Sequence, residues 1–154
     1  MDILIAPVAD DQIEFAVALL QAQLEEHHIS TSAACLRDVV EQVAADGAKG
    51  FILLALDGTD AIGIAYAAAH LSAEHGGTVG WLEELYVSPA ARGRGVGSAL
   101  LQEVTARAQQ LDWRALELEV VAGHERAFPL YLRHGFTATD RARFTRPLPG
   151  RPRL

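Results

Sequence analysis

The chain has 154 residues, half of them apolar, a formal net charge of −7 and a single cysteine. That length and apolar content suffice to bury an ordinary domain core without metal or disulfides, a lone cysteine closes no internal bridge, and the net acidity argues against nucleic acid as the main partner. The N-terminal MDILIAPVADD lacks a basic n-region, and the longest apolar region, from Phe51, is broken by Asp57 and Asp60; neither export nor membrane insertion is indicated, and a cytoplasmic location is expected.

Residues 2–8 predict a first strand, with Pro7 favouring an edge or a strand end. Ile13, Val17, Leu20 and Leu24 then recur at helical spacing behind an Asp-rich start. A second helix over residues 30–47 has Ser and Thr as N-caps and Gly47 as a stop, and Cys35, beside Leu36, Val39, Val40 and Val43, reads as a small buried hydrophobe. FILLALDGTDAIGIAYAAAHL forms a hairpin around Asp57-Gly58, and the loop SAEHGG leads to the strand TVGWLEELYV.

From there the pattern becomes strand, glycine turn, helix, strand, helix. Val96, Leu100, Val104 and Leu111 line one side of the helix, and RALELEVV alternates Leu116, Leu118 and Val120 against Glu117 and Glu119 as a half-buried strand. HERAFPLYLRH predicts a short helix ending at Gly135, and ARFTRPL a final strand. Repeats and interdomain linkers are lacking, so one domain is expected over residues 1–148 with a loose tail at 149–154. The order is α/β with a mixed sheet, antiparallel early and with one crossover late.

Charge is divided along the chain: residues 1–91 hold 14 acids and 2 bases, residues 92–154 hold 6 acids and 11 bases. The change of sign falls at VSPAARGRGVGSALL, residues 87–101, and predicts a negative region for a cation and a positive one for phosphates. At a helix N-terminus, glycines expose unpaired N–H groups that suit a phosphate. This loop is not a P-loop, which needs Gly-Lys-Ser/Thr, because the only lysine is Lys49. Nor is it a dinucleotide fingerprint, since Gly93, Gly95 and Gly97 alternate in mid-chain.

Arg92, Gly95 and Gly97 fit R/Q-x-x-G-x-G/A, and the strand before them ends LYVSP; about forty residues on, AFPLYLRHGF supplies Ala127, Leu130, Tyr131, Gly135 and Phe136. Together these resemble the two signatures of the GNAT superfamily of N-acetyltransferases. The resemblance implies an acyl-CoA N-acyltransferase fold, an α/β three-layer arrangement with a mixed central sheet and helices on both faces. It implies acetyl-CoA as cosubstrate, with pantetheine on the backbone of Leu85, Tyr86 and Val87 where that strand splays from residues 118–120. Pyrophosphate is then expected on the amides of Gly93, Arg94, Gly95, Val96, Gly97 and Ser98, with charge from Arg92 and Arg94. A homodimer is a family habit.

An alkylamine with a pKa of about 10.4 is protonated at neutral pH, a mismatch of roughly 3 units, or about 4 kcal/mol, that a base must relieve. Glu83 and Glu84 are the candidates. WLEELYV is similar to the strand of the spermidine/spermine and thialysine acetyltransferases, which favours Glu83 as base and Glu84 as the charge that attracts the cation. On a regular strand the two face opposite sides, so both reach one cleft only through a bulge. Tyr131 matches the family's general acid, which protonates the leaving thiolate. Two departures stand out: His124 where the family often has Asn, and Pro129 inside the short helix, where it can shift Tyr131. His27, His28 and His134 fall at helix ends, where a cation suits the dipole, and His70 and His75 flank a loop without companion metal ligands.

The expected activity is acetyl transfer to a primary amine, polyamine-like, amino acid or aminoglycoside. A protein N-terminus or lysine is the alternative within the fold, and a non-catalytic CoA-binding or sensing module is the alternative of another class.

Overall fold

The computed structural model describes residues 2–150, so residues 151–154 of the expected tail lie outside the described residues. Five strands form one sheet in chain order: β1 (Ile3–Pro7), β2 (Gly50–Asp57), β3 (Asp60–Ser72), β4 (Gly77–Val87) and β5 (Ala115–Glu117). β1 to β4 pair antiparallel and β5 joins β4 in parallel. Pro7 ends the edge strand β1, where its missing N–H costs no central ladder bond.

β2 reads FILLAL because both its faces are covered. Ile52 and Leu54 point to α1 (Ile13–Glu26) and α2 (Ala33–Ala45), with Ile64 and Tyr86 beside them. Leu53 and Ala55 point to α3 (Val96–Gln110), which buries Val96, Leu100, Leu101 and Val104 against Ala65, Ala67 and Leu82. The periodic residues of α1 face the first core, with Val17 and Leu20 buried and Ile13 and Leu24 packed at its rim. α2 starts at Ser32, whose hydroxyl accepts from the Cys35 N–H at 3.2 Å. It stops at Asp46, not Gly47; the Asp46 carboxylate accepts from the Ala48 N–H and caps the next turn instead.

Further expectations are corrected. Cys35 is only partly buried and Val39 is exposed, because α2 lies at the rim of its core. Leu111 falls beyond the end of α3 and is 52% exposed. The strand expected over 114–121 is paired only at Ala115–Glu117, and the strand expected at 142–148 pairs with nothing, leaving Phe144 92% exposed. The short helix α4 (Phe128–Arg133) carries Pro129 in its first turn, where a proline removes no intrahelical bond, so Tyr131 sits on an undistorted helix. No helix among the described residues is long and apolar enough to cross a membrane.

Candidate active site

The site begins where sheet pairing stops. β4 is paired with β3 along its whole length, but with β5 only at Val79–Trp81. Ser88 N–H donates to Ile62 O at 2.9 Å and Tyr86 stands opposite Ile64, so in an antiparallel ladder Leu85 and Val87 turn their N–H and C=O groups away from β3, toward the open side. Both carbonyls are taken: Leu85 O accepts from Gln23 Nε2 at 3.5 Å and Val87 O from Arg92 Nε at 2.9 Å. What these two residues present to the opening is therefore N–H. The Tyr86 side chain is buried in the α1/α2 core and can take part only through its backbone.

After β4 a 3-10 turn, Pro89–Ala91, leads into the glycine loop. Gly93 and Gly95 have φ of 76° and 81°, a left-handed backbone that side chains resist, and Gly95 is the N-cap of α3. The first intrahelical bond is Ala99 N–H to Gly95 O at 3.0 Å, which leaves the amides of Val96, Gly97 and Ser98 without an intrahelical partner. A Cβ built on Gly97 would lie 3.8 Å from both Leu130 and Val87, so this turn of α3 runs close to the end of β4 and to α4. The Ser98 hydroxyl is 2.7 Å from His134 Nε2, which ties the loop to the end of α4 through a hydrogen bond.

The loop arginines are already occupied. Arg92 is held at three points: the Val87 carbonyl, Glu26 Oε1 at 2.6 Å, and the face of Tyr86 with 5.5 Å to the ring centroid. Arg94 is 3.3 Å from Asp57. Three arginines of the basic second part thus pair with acids of the first part: Arg92 with Glu26, Arg94 with Asp57 and Arg141 with Glu74.

The two acids of β4 sit at a bulge. Tyr66 pairs with Glu84 and Ala67 with Leu82, so Glu83 is the extra residue and strict alternation fails at this point. Their surroundings differ. Burial pushes the Glu84 carboxyl above the usual carboxylate range; a hydrogen bond from Gln23 opposes this, and the charges of Glu83 and Glu119 add to it. Burial also raises Glu83, although the residue keeps an exposed surface; Arg143 pulls it back down and Glu119 pushes it up. Arg143 is itself 2.6 Å from Glu119 and lies over the Trp81 ring at 4.9 Å. On α4, Tyr131 packs edge-on against Phe136 with ring centroids 5.9 Å apart, and burial, then the Glu84 charge, push its phenol above its ordinary value.

The end of α1 closes one side of the opening. His27 lies against His124 with ring centroids 4.5 Å apart. Burial, then the charge of His124, holds His27 below its ordinary value, which disfavours the cation expected at this helix end. Gln23, Glu26, Trp81 and Arg143 also belong to this region and carry no motif; the only trace in the sequence is that Gln23, Glu26 and His27 share i, i+3, i+4 spacing at a helix end.

Solved structures share the architecture. An integron cassette protein from the mobile metagenome of Cole Harbour Salt Marsh matches with a TM-score of 0.84 at 25% identity, covering 95% of this chain and 91% of that one. A predicted acetyltransferase with acetyl-CoA from Clostridium acetobutylicum matches at 0.79 and 18%, covering 94% and 96%. An aminoglycoside antibiotic 6'-N-acetyltransferase from Acinetobacter haemolyticus matches at 0.78 and 21%, covering 96% and 99%. No curated protein matches the chain. The profile of the Acetyltransferase (GNAT) family matches residues 16–136, and the chain belongs to that family.

Proposed function

We propose that the protein transfers an acetyl group from acetyl-CoA to a primary amine, a small molecule before a protein. The observation that carries this reading is convergence. The start of α3 adjoins the end of β4 and α4, since a Cβ on Gly97 would lie 3.8 Å from both Val87 and Leu130, and Leu85 and Val87 turn their N–H groups away from β3 beside it.

The residues fit the cosubstrate. Among the described residues nothing beyond the chain neighbours stands within 4 Å of a Cβ built on Gly93 or Gly95, so a pyrophosphate can approach the backbone from Gly93 to Ser98. Leu85 to Val87 offer an edge on which pantetheine can lie as an added strand. Arg94, with one partly exposed partner, can turn to a phosphate, whereas Arg92 shapes the loop. Acetyl-CoA supplies the activated acyl group, and N–H groups near Leu85 to Val87 polarise its carbonyl.

The side chains then manage protons. A nitrogen that goes from ammonium to amide loses two. A carboxylate of the Glu83/Glu84 pair takes the first and passes it to solvent. Tyr131 gives its proton to the departing sulfur and is reprotonated at the expense of the second. The rate should rise with pH as the raised carboxyl ionises, and fall only where the raised Tyr131 phenol loses its proton.

The test is free-thiol release from acetyl-CoA over a panel containing spermidine, lysine, kanamycin and short peptides, with Tyr131→Phe as control. Turnover with one amine class, reduced about a hundredfold in Tyr131→Phe while acetyl-CoA affinity holds within about twofold, is the expected result. Binding without turnover on any amine moves the protein to the CoA-binding module, and undiminished turnover in the variant clears Tyr131 of the role.

A further inference from the structure

β4 and β5 part beyond Trp81, which is paired with Glu117. Leu82 on one strand and Leu116 and Leu118 on the other pack in the core under α3, so Trp81 and Glu117 point to the opposite face. A cation of the chain itself is seated there. The Arg143 guanidinium lies over the Trp81 ring, 4.9 Å from its centroid, and Nη1 is 2.6 Å from Oε1 of Glu119, just past Glu117. One side chain thus bridges the two walls of the gap at the point where the gap starts.

A ring face beside a carboxylate is a good seat for a cation, and Arg143 holds it loosely. The segment that carries it, residues 137–150, forms neither helix nor strand, and Phe144 beside it is 92% exposed. Arg143 with Glu119 and Arg141 with Glu74 pin that segment, and both arginine side chains are more than half exposed. Ion pairs and ring contacts this open to solvent each contribute little. The charge of Arg143 is also felt at Glu83, the bulge residue of β4, so two carboxylates draw on one guanidinium and keep their pull on a cation when it leaves.

We propose that Arg143 keeps the place of a substrate cation: in the free protein it fills a position, made by the Trp81 ring and the Glu119 carboxylate, that a second cationic group of the acceptor takes over. The preferred acceptor is then a linear di- or polyamine. This rests on the acetyl-transfer reading above. Leu85, whose N–H faces the thioester in that reading, follows Trp81 along β4 by at most about 13 Å, the span of four extended residues. The second cation therefore sits at the far end of the acceptor from the nitrogen that reacts. The displaced guanidinium turns to solvent, and Arg141 keeps the segment tied to Glu74. An amine with a single charge gains nothing from the position.

The first test needs no turnover. In the full chain without acetyl-CoA, spermidine should move the Arg143 Nε–H signal toward that of a free guanidinium in a 15N NMR titration, and butylamine at matched ionic strength should not. A signal that ignores spermidine, or follows both amines alike, overturns the proposal.

The second test is kinetic and reads the ratio of kcat/KM for spermidine over butylamine. Arg143→Gln removes the competitor, and the ratio should rise about three- to fivefold, chiefly through a lower KM for spermidine. In that background Glu119→Gln should lower it again about three- to tenfold. Arg141→Gln loosens the same segment but leaves the position filled. A rise there as large as in Arg143→Gln would assign the effect to the segment and overturn the role of Arg143, as would a fall of the ratio in Arg143→Gln. A wild type that prefers butylamine, kanamycin or a peptide to spermidine keeps acetyl transfer and overturns this inference alone. One that acetylates no amine takes down the acetyl-transfer reading and the acceptor assignment with it, while the NMR titration still decides whether the position takes a cation from solution.

Discussion

The two edges of β4 are used in opposite ways. Toward β3 the ladder runs unbroken except for one bulge, from Gly77 opposite Ser72 to Val87 opposite Gly63, and the residues along it bury into two cores. Toward β5 pairing covers Val79–Trp81 and ends, and the exposed backbone is met by polar side chains from α1 and the glycine loop. A closed ladder satisfies every backbone group and offers nothing to a ligand; an interrupted one leaves N–H groups aimed at a space that side chains can line. In this fold stability and chemistry are assigned to different edges of one strand.

The sharpest way to break that division is to weaken the closed edge alone. Ile64, fully buried on β3, faces the α1/α2 core. Ile64→Ala should cost about 2–5 kcal/mol of unfolding free energy in urea titration, and acetyl-CoA affinity of the folded fraction should stay within about twofold. A large affinity loss would show that the two edges are coupled through the sheet. Gly80 tests the junction itself. It lies in the three-residue contact with β5, and a Cβ there would fall 2.5 Å from Trp113 Cε3 and 2.7 Å from Leu116 Cδ2. Trp113 is stacked on Phe51, with ring centroids 5.2 Å apart, and has little room to yield. Gly80→Val should cost about 1–3 kcal/mol, less than Ile64→Ala, yet weaken acetyl-CoA binding more in calorimetry, because it loosens the anchor from which the opening spreads. Equal affinity would mean that the opening is set by the helices and not by β5.

The same contrast explains what could be read from the sequence. What the sequence shows rests on local patterns: FILLAL for a strand, Asp57-Gly58 for the turn, and the alternating glycines for the start of α3. Each depends on neighbours a few residues apart. ARFTRPL has the alternation of a strand, but a strand needs a partner, and no sheet edge among the described residues meets it. Glu83 and Glu84 were legible as a pair of acids, whereas the bulge that sorts them arises from the register against Tyr66 and Ala67, 17 residues away from Glu84 on the chain at its nearest. Gln23 and Glu26 carry no local signal, since nothing near them in the sequence says that Leu85 and Arg92 are their partners. Arg92 was recognised by its motif, but its hold on Val87 and Glu26 depends on the tertiary fold.

The smallest expected effect separates the two anchors of α1. On the β4 side the helix is held by the Glu26–Arg92 ion pair; on the β5 side it is held by His27 against His124. Among the described residues His27 Nδ1 is buried with no hydrogen-bond partner, and burial and the neighbouring histidines outweigh Glu26 in holding the ring below its ordinary value. An unfolded chain restores that value to about 6.5, so below it the unfolded state binds protons that the folded state refuses. Stability from His27 is therefore complete above about pH 6.5 and is lost as pH falls through the depressed folded pKa. Urea midpoints at pH 7.5 and 5.5 should fall further apart in the wild type than in His27→Gln, which keeps a polar group and cannot titrate. Equal falls would assign the acid sensitivity to the carboxylates. A larger fall in the wild type, with faster amide exchange at residues 122–125 at the lower pH, would show that the β5 side of the opening is the one that acid releases.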